Sequence, residues 1–231
     1  MAAESGLAPL RERAGWLREQ MDDPACDAAL LRNTYRQFAR VNALFSAWHR
    51  VFDRHLAPRL TTGSTILDVG CGGGDLARRL AGWLAQAGTP VSVTAVDPDP
   101  RAIEFARAHP APGVCFRQAT AEDLLSAGER FDVVVSNHLL HHLSDAELEP
   151  FLDASAALAS RVVVHNDMSR HAVAYAGFAL TRPLFRRSYI VADGLTSIRR
   201  AFTPAELRLR VPDGWEVHSM TPFRNVVILE R

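Results

Sequence analysis

The residues from Gly70 to Gly74 form a glycine cluster that could bring a ligand close to the backbone. Four of these five positions are glycine, and the run follows the apolar stretch ILDV. Glycine lacks a Cβ atom, so its N–H groups can approach a ligand where a strand turns into a helix. A tight turn alone needs only one glycine. The surplus therefore indicates a binding loop with the pattern Asp68-x-Gly70-x-Gly72-x-Gly74.

The spacing of this loop differs from the dinucleotide fingerprint G-x-G-x-x-G. Counting from Gly70 brings Asp75 to the place of the third glycine, which disfavours a nicotinamide dehydrogenase. Asp97 ends the next β-like run, VSVTAVD, 29 positions after Asp68. A carboxylate there can accept hydrogen bonds from two hydroxyl groups of one ligand. Capping of the following helix is the alternative role for Asp97.

Histidines offer a second kind of chemistry, because imidazole can take a proton near neutral pH. His138, His141 and His142 lie in the stretch HLLHHL, and His165 lies near the end of VVVHND. Each is a candidate for the rim of a binding site. The alternative for each is a packed or helix-capping histidine.

The composition of the chain limits its partners. Basic and acidic residues number 26 each among 231 residues, so no overall charge attracts nucleic acid or an anionic membrane. Cys26, Cys71 and Cys115 are widely spaced, which predicts a reducing compartment, the cytoplasm, and no zinc or other metal site. The first twenty residues are charged and no long apolar run occurs, so neither export nor a membrane span is expected.

The elements that must position these residues differ along the chain. Up to about Leu60 the pattern is helical, with apolar residues at steps of three and four that include Tyr35, Phe38, Leu44 and Phe45. We expect residues 1–60 to form a helical cap or lid over the site. Ordinary packing of this helix against the core is the alternative.

From residue 61 onward, short β-like runs alternate with helix-like segments. The runs are STILDV, VSVTAVD, VCFRQAT, FDVVVSN, RVVVHND, WEVHSM and RNVVILER. Unbroken apolar runs such as VVV are typical of parallel strands covered on both faces. Only three residues separate the last two runs, so these two should pair antiparallel. Ser144 and Glu147 have the spacing of a capping box for the helix that they begin.

On these motifs, residues 61–231 resemble the class I S-adenosylmethionine-dependent methyltransferases. LDVGCGGG is similar to the glycine-rich motif of that family, and AVDPDP to its acidic ribose-binding position. FDVVVSNHLLHHLSD resembles the small-molecule branch, which includes ubiquinone and menaquinone biosynthesis methyltransferases and natural-product O-methyltransferases. The resemblance implies an α/β, Rossmann-like seven-stranded sheet, mostly parallel with the last strand antiparallel, with helices on both faces.

The resemblance also implies S-adenosylmethionine as cofactor and S-adenosylhomocysteine as product. Asp68 would hold the methionine ammonium through water, and Asp97 the ribose. Thr120 stands where relatives often carry aspartate, so Thr120, Glu122, Asp123 or water must contact the adenine amino group, unless Thr120 only caps a helix. The cofactor-binding residues expected on this basis are Asp68, Gly70, Cys71, Gly72, Gly74, Asp97, Pro98, Thr120, Ala121, Glu122 and Asn137.

For the acceptor, the segment LHHLSD is similar to an O-methyltransferase segment in which a histidine is the general base. The resemblance implies His141 as the catalytic base, with His165 as the next candidate. The expected substrate-binding residues are Tyr35, Phe38, His138 and Asn166. An insertion at residues 168–202 would form a second wall; its arginines could bind an acidic group or form a solvated face.

These features together predict methyl transfer to oxygen, or less favourably carbon, of an aromatic, quinol or polyketide-like small molecule. Ser136-Asn137-His138-Leu139 differs from the Asn-Pro-Pro-aromatic motif of adenine and amide methyltransferases. The alternatives are an RNA or protein methyltransferase and a non-catalytic cofactor-binding subunit. No pattern in the sequence addresses the oligomeric state.

Overall fold

The computed structural model describes residues 10–231, and one seven-stranded sheet organises this part of the chain. The strand order is β3-β2-β1-β4-β5-β7-β6. The strands are β1 Thr65–Val69, β2 Ser92–Asp97, β3 Val114–Gln118, β4 Phe131–Asn137, β5 Ala159–Met168, β6 Glu216–Met220 and β7 Arg224–Glu230. Strands β1 to β5 pair in parallel, and β7 runs antiparallel to both β5 and β6. The predicted sheet, including its antiparallel end, is confirmed.

Helices connect the strands and cover both faces of the sheet. They are α1 Ala28–Phe45, α2 Trp48–Val51, α3 Asp75–Gln86, α4 Pro100–Arg107, α5 Ala121–Ser126, α6 Asp145–Leu158, α7 Ala172–Ala179, α8 Ile190–Arg200 and α9 Pro204–Arg208. The predicted capping box of Ser144 and Glu147 starts α6. A single 3-10 turn, Leu140–His142, follows β4.

The two faces of the sheet hold two separate cores because successive strand residues point in opposite directions. Val133 and Val135 pack with α2 and α3, whereas Val134 packs with α6 on the other face. The central strands are buried on both sides, which explains why their sequences read as continuous apolar runs.

The helical region before β1 is not one continuous helix. It breaks after α1, where Ala47 adopts a left-handed conformation with φ 54°, and continues through α2 and a π turn, Phe52–Leu56. Asn166 of β5 donates to the carbonyl of Ser46 at 2.6 Å and fixes the break. Leu44 of the predicted apolar stripe is exposed. Residues 1–9 of the expected cap lie outside the described residues.

The structure also gives the length and character of the helices, which decide whether any could cross a membrane, and the state of the cysteines. Between residues 10 and 231, no helix has the length and apolar character that a membrane crossing requires. All three cysteines are free thiols.

Candidate functional site

The glycine loop lies between β1 and α3, at the carboxyl edge of the parallel strands. Gly70 and Gly72 have φ values of 68° and 50°, which favour glycine. A Cβ atom on Gly70 would lie 2.3 Å from the side chain of Leu139, whereas one on Gly72 would meet nothing within 4 Å. Gly70 is therefore required for packing, and Gly72 leaves an open surface.

That open surface belongs to a cavity of about 1090 Å³. The cavity lies between the glycine loop, the N-terminal segment (residues 13–24), α1, and the helices α7 and α8 of the predicted insertion. Ligands of open α/β sheets bind at this edge, outside the carboxyl ends of the strands. Residues of the N-terminal segment, α1, α7 and α8 thus line this cavity.

Asp97 is joined directly to the glycine loop. Its carboxylate accepts hydrogen bonds from the backbone N–H of Gly72 at 2.8 Å and of Asp99 at 2.9 Å. Burial raises the pKa of Asp97 above its ordinary value, although these two donors oppose the shift. Asp97 is therefore fixed against the glycine loop. It also lines the cavity, where its carboxylate can accept further hydrogen bonds from a ligand.

Asp68 is the most unusual carboxylate of the site. It is 1 % exposed, and neither carboxylate oxygen has a well-formed hydrogen bond within residues 10–231. Burial, together with the charges of Asp75 and Asp97, raises the pKa of Asp68 well above its ordinary value. An unpaired buried carboxylate is costly unless a ligand supplies a donor or a positive charge. This residue therefore fits the ammonium of an amino-acid ligand.

Asp75, the residue that breaks the dinucleotide fingerprint, also lines the cavity. Its carboxylate accepts from Asn42 Nδ2 of α1 at 2.8 Å, and burial raises its pKa. Asn42 in turn accepts from Asn137 Nδ2 at 3.2 Å. These two hydrogen bonds join α1, the start of α3 and the end of β4. The role of Asp75 was missed because an acid at a helix start also suits simple capping.

His141 is held between two carboxylates. Its Nδ1 atom lies 2.8 Å from Asp167 Oδ1, and its Nε2 atom lies 3.2 Å from Glu19 Oε1. Burial alone would lower the pKa of His141, but Asp167 and Glu19 raise it to about 9. With no ion or acceptor bound, the two carboxylates therefore stabilise the charged form of the imidazole.

Glu19 and Asp167 both contact His141, and neither was among the site residues predicted from the sequence. Burial would raise the pKa of Glu19, but His142 and His141 lower it to about 2. Ser197 of α8 also donates to Glu19, at 2.7 Å. His142 Nε2 lies 3.7 Å from Glu19 and His142 Nδ1 lies 3.5 Å from Asp22. We call Glu19, His141 and His142 the Glu19 cluster.

The N-terminal segment is fixed in place by Arg13. The guanidinium donates to the carbonyl of Arg200 at 2.6 Å, to that of His141 at 3.1 Å, and to that of Leu143. Further along, Asp193 accepts from the backbone N–H groups of Gln20 and Met21. These contacts bring Glu19 to the histidine turn from more than a hundred positions away.

His138 and Arg224 contact each other on the cavity wall. His138 Nε2 lies 3.0 Å from Arg224 Nη1, and burial, followed by the charge of Arg224, lowers the pKa of His138 well below its ordinary value. Arg224 also donates to Asn166 Oδ1 at 2.9 Å. Asn166 itself does not line the cavity. Its side chain accepts the hydrogen bond from Arg224 and donates one to the carbonyl of Ser46.

His165 lies away from the cavity. It is fully buried, its Nδ1 atom is 2.8 Å from Ser136 Oγ, and its ring packs against Phe151 and Trp215. Burial lowers its pKa to about 3. Although β5 carries His165 near the strand end, the side chain points into the core between the sheet and α6.

The predicted adenine contacts are not brought to the cavity either. Thr120 and Asp123 form a capping box for α5, with the Asp123 N–H 3.2 Å from Thr120 Oγ1. Helix capping was the alternative role for Thr120. The predicted residues outside the cavity lining are Gly74, Thr120, Ala121, Glu122, His165 and Asn166.

Most of the other predicted residues do meet at the cavity. Those on its wall are Tyr35, Phe38, Asp68, Gly70, Cys71, Gly72, Asp97, Pro98, Asn137, His138 and His141. The arginines of the insertion do not contribute to this wall; Arg182, Arg186 and Arg187 are exposed, and Arg200 donates to the carbonyls of His141 and His142.

Comparison with known proteins gives a match over the part of the chain that contains the glycine loop. Residues 66–162 match the family model described as a methyltransferase domain. The chain is 40 % identical over 93 residues to a ubiquinone biosynthesis O-methyltransferase of Methylobacterium sp. (strain 4-46), covering 39 % of this chain and 35 % of that protein. The corresponding protein of Cereibacter sphaeroides is 42 % identical over 98 residues, with 41 % and 37 % covered. The match thus spans little more than a third of these relatives.

Solved structures share the fold over most of the chain. Magnesium protoporphyrin IX methyltransferase from Synechocystis PCC 6803, with bound S-adenosylhomocysteine, is 18 % identical, with 92 % of this chain and 91 % of that chain covered and a TM-score of 0.53. The plantazolicin methyltransferase BpumL, in complex with S-adenosylhomocysteine, is 12 % identical, with 86 % and 85 % covered and a TM-score of 0.57. Residues 66–162 thus match a methyltransferase domain, and the sheet order and most of the described chain share the fold of these solved structures.

Proposed function

We propose that the protein transfers the methyl group of S-adenosylmethionine to an oxygen atom of a small-molecule acceptor. The observation that supports this proposal is that two carboxylates, those of Asp68 and Asp97, lie at the same edge of the cavity. Asp68 lacks a well-formed hydrogen bond within residues 10–231, and Asp97 is tied to the open surface at Gly72. A ligand with an ammonium at one end and neighbouring hydroxyls at the other satisfies both.

Each part of the cofactor has a matching residue. Asp68 takes the methionine ammonium, directly or through water, and Asp97 accepts from the ribose hydroxyls. Gly72 lets the backbone approach the ligand between them. The acidic character of this edge, to which Asp75 contributes, also favours a cofactor whose sulfonium is positive.

The acceptor occupies the other half of the cavity. Phe38 and Phe45 of α1 and Phe178 of α7 give this half an aromatic wall, which suits an aromatic or otherwise apolar small molecule. The guanidinium of Arg224, which contacts His138 on the cavity wall, can donate a hydrogen bond to an acceptor oxygen. We assign residues 10–60 as the cap and residues 168–202 as the second wall.

In the reaction, a lone pair of the acceptor oxygen attacks the methyl carbon while the carbon–sulfur bond breaks. The proton of the oxygen passes to the neutral form of the His141 imidazole, our candidate general base, and S-adenosylhomocysteine leaves as a neutral thioether. His141 is our candidate for the residue against which the oxygen lies. His165 has no part in this proposal, because its ring lies outside the cavity.

The names of the relatives support oxygen rather than carbon or nitrogen as the methylated atom. A chain of net charge zero with a cavity of this size favours a small acceptor over RNA or protein. We place the reaction in the cytoplasm, where free thiols such as these three persist.

The cofactor half of the proposal is tested by calorimetry with S-adenosylhomocysteine. The change Asp97→Asn removes one charged acceptor, and loss of such a hydrogen bond weakens binding by about 10- to 100-fold. Asp153→Asn makes the same chemical change on the exposed face of α6 and should leave the affinity unaltered. Equal affinity in all three proteins, or binding of nicotinamide dinucleotide instead, would refute the assignment.

The acceptor half is tested with labelled S-adenosylmethionine and the purified single chain. A panel of phenols, quinols and keto acids should yield a labelled product, with RNA and protein fractions as the competing acceptors. Labelling of RNA or protein alone would overturn the small-molecule proposal. Activity that appears only after a second protein is added would instead favour a cofactor-binding subunit.

A further inference from the structure

The Glu19 cluster places three metal-ligand atoms together on the cavity wall. One carboxylate oxygen of Glu19 and one ring nitrogen from each of His141 and His142 all lie within 4.8 Å of one another. Glu19 lies 3.2 Å from His141 and 3.7 Å from His142. Ligands around a divalent ion at ordinary bond lengths are about 3.0–3.4 Å apart, so only small movements are needed.

The ion pair with Glu19 leaves one nitrogen of His141 without a well-formed hydrogen bond. His141 Nε2 is buried, and although it lies 3.2 Å from Glu19, the contact lacks hydrogen-bond geometry, so the nitrogen has no well-formed partner within residues 10–231. Buried polar atoms are normally paired, and an exception needs an explanation. A bound ion would give this nitrogen a partner.

The second ring nitrogen of each histidine faces a carboxylate. His141 Nδ1 lies 2.8 Å from Asp167 Oδ1, and His142 Nδ1 lies 3.5 Å from Asp22 Oδ2. Carboxylates in this position orient metal-bound histidines and make them better ligands. Asp167 is itself fixed, because it also accepts from the backbone N–H of His141 at 2.7 Å.

From these contacts we propose that Glu19, His141 and His142 bind a divalent transition-metal ion at the cavity wall. Two imidazoles and one carboxylate suit zinc, cobalt, iron or manganese, whereas magnesium and calcium prefer sites made of oxygen atoms. Three protein ligands leave further coordination positions open, as in catalytic rather than structural metal sites.

This proposal rests on the proposed function for its role in chemistry. Glu19, His141 and His142 all line the cavity, so an acceptor oxygen could occupy one of the open positions. An ion there would stabilise the oxygen as an anion and so make loss of its proton easier. The preferred acceptor would then be a hydroxyl compound whose oxygen can bind a metal.

The test titrates cobalt(II) into tag-free, chelator-treated full-length protein and follows the visible absorption of the ion. We expect one cobalt per chain, displaced by zinc and not by magnesium at equal concentration. Glu19→Gln and His142→Gln each remove one ligand and should weaken cobalt binding by at least about 10- to 100-fold. Asp22→Asn, which removes only the carboxylate behind His142, should weaken it by about tenfold.

The matched controls are His218→Gln and Glu216→Gln, which alter a histidine–carboxylate pair 2.8 Å apart on β6. Neither should change cobalt binding. Equal cobalt affinity in the Glu19→Gln and unchanged proteins, loss of binding in the His218→Gln control, or equal displacement by magnesium would overturn the proposal. Binding of S-adenosylhomocysteine is measured separately without metal, so failure of the metal site and failure of the cofactor site remain distinguishable.

Discussion

At the scale of single residues, burial and neighbouring charges shift the pKa values of His141 and His165 in opposite directions. Two carboxylates raise the pKa of His141 to about 9 despite its burial. His165, packed between aromatic rings, has its pKa lowered to about 3 by burial. Both rings are completely enclosed, so the difference comes from their partners.

His165 should make the fold sensitive to acid. Its pKa is lower in the folded chain than in the unfolded chain, where it is near 6.5, so only the unfolded chain takes up this proton as the pH falls below 6.5. The free energy of unfolding should therefore drop by about 3 kcal/mol between pH 6.5 and pH 4 from this residue.

The change His165→Asn removes the titration and keeps a polar group for Ser136. Urea unfolding of both proteins at pH 7 and pH 4 checks the prediction. The variant should lose about 3 kcal/mol less stability than the unchanged protein over that interval. An identical loss in both would mean that His165 is protonated, or not buried, in the folded chain.

The sequence indicates both histidines as candidate bases, and the folded structure separates them. Side-chain direction on β5 could be read from strand alternation, which sends His165 to the face of Val163 and α6. Glu19 could not be found in this way. Nothing in a charged N-terminal stretch shows that one of its carboxylates will be buried beside a turn after β4.

At the scale of elements, two glycines of the glycine loop have different structural roles. Gly70 is enclosed by Leu139, whereas Gly72 borders the cavity with space for a Cβ atom. The pattern of glycines predicted the loop and its place, because glycine clusters have few other uses at a strand-to-helix junction. The link from Asn42 to Asp75 could not be predicted, since it joins elements that are distant along the chain.

The change Gly72→Ala should therefore affect ligand binding more than folding. Alanine at a φ of 50° costs about 1–2 kcal/mol of stability, and its methyl group would occupy space next to the cofactor. Binding of S-adenosylhomocysteine should weaken by tenfold or more, as calorimetry would show.

Gly82→Ala in α3 provides the comparison for this prediction. A Cβ atom there meets nothing within 4 Å, and alanine suits a helix interior better than glycine by about 0.5–1 kcal/mol. This variant should be more stable and should bind S-adenosylhomocysteine normally. Full affinity in Gly72→Ala as well would place the ligand away from the loop.

At the scale of the whole molecule, the site is assembled from segments that lie far apart in the sequence. The strand order and the alternation of helices follow from local patterns, so the fold was predictable. The position of the N-terminal segment over the cavity was not predictable, because it depends on polar contacts such as those of Asp193 with Gln20 and Met21. Such contacts have no periodicity that a sequence could display.

Arg13 should control how firmly the N-terminal segment closes the cavity. In Arg13→Ala, the bonds to the carbonyls of His141, Leu143 and Arg200 are lost. Hydrogen exchange of residues 14–22 should become faster, and S-adenosylhomocysteine should dissociate about tenfold faster. Stopped-flow displacement measures the second effect.

The exposed Arg11 supplies the control for this experiment, because Arg11→Ala removes an equal charge from the surface. Both its exchange pattern and its dissociation rate should match those of the unchanged protein. If Arg13→Ala behaved in the same way, the other contacts of the segment would suffice to hold it.

The hydrogen bond from Asn42 to Asp75 has a consequence for the construction of chimeric enzymes. The methyltransferase match covers residues 66–162, whereas α1 and the wall formed by α7 and α8 lie outside it. On the proposed function, exchanging these outer segments between related enzymes would change the acceptor and leave the part that binds the methyl donor unchanged. A foreign α1 must, however, bring an amide to the position of Asn42, or the graft leaves a buried acid without its donor.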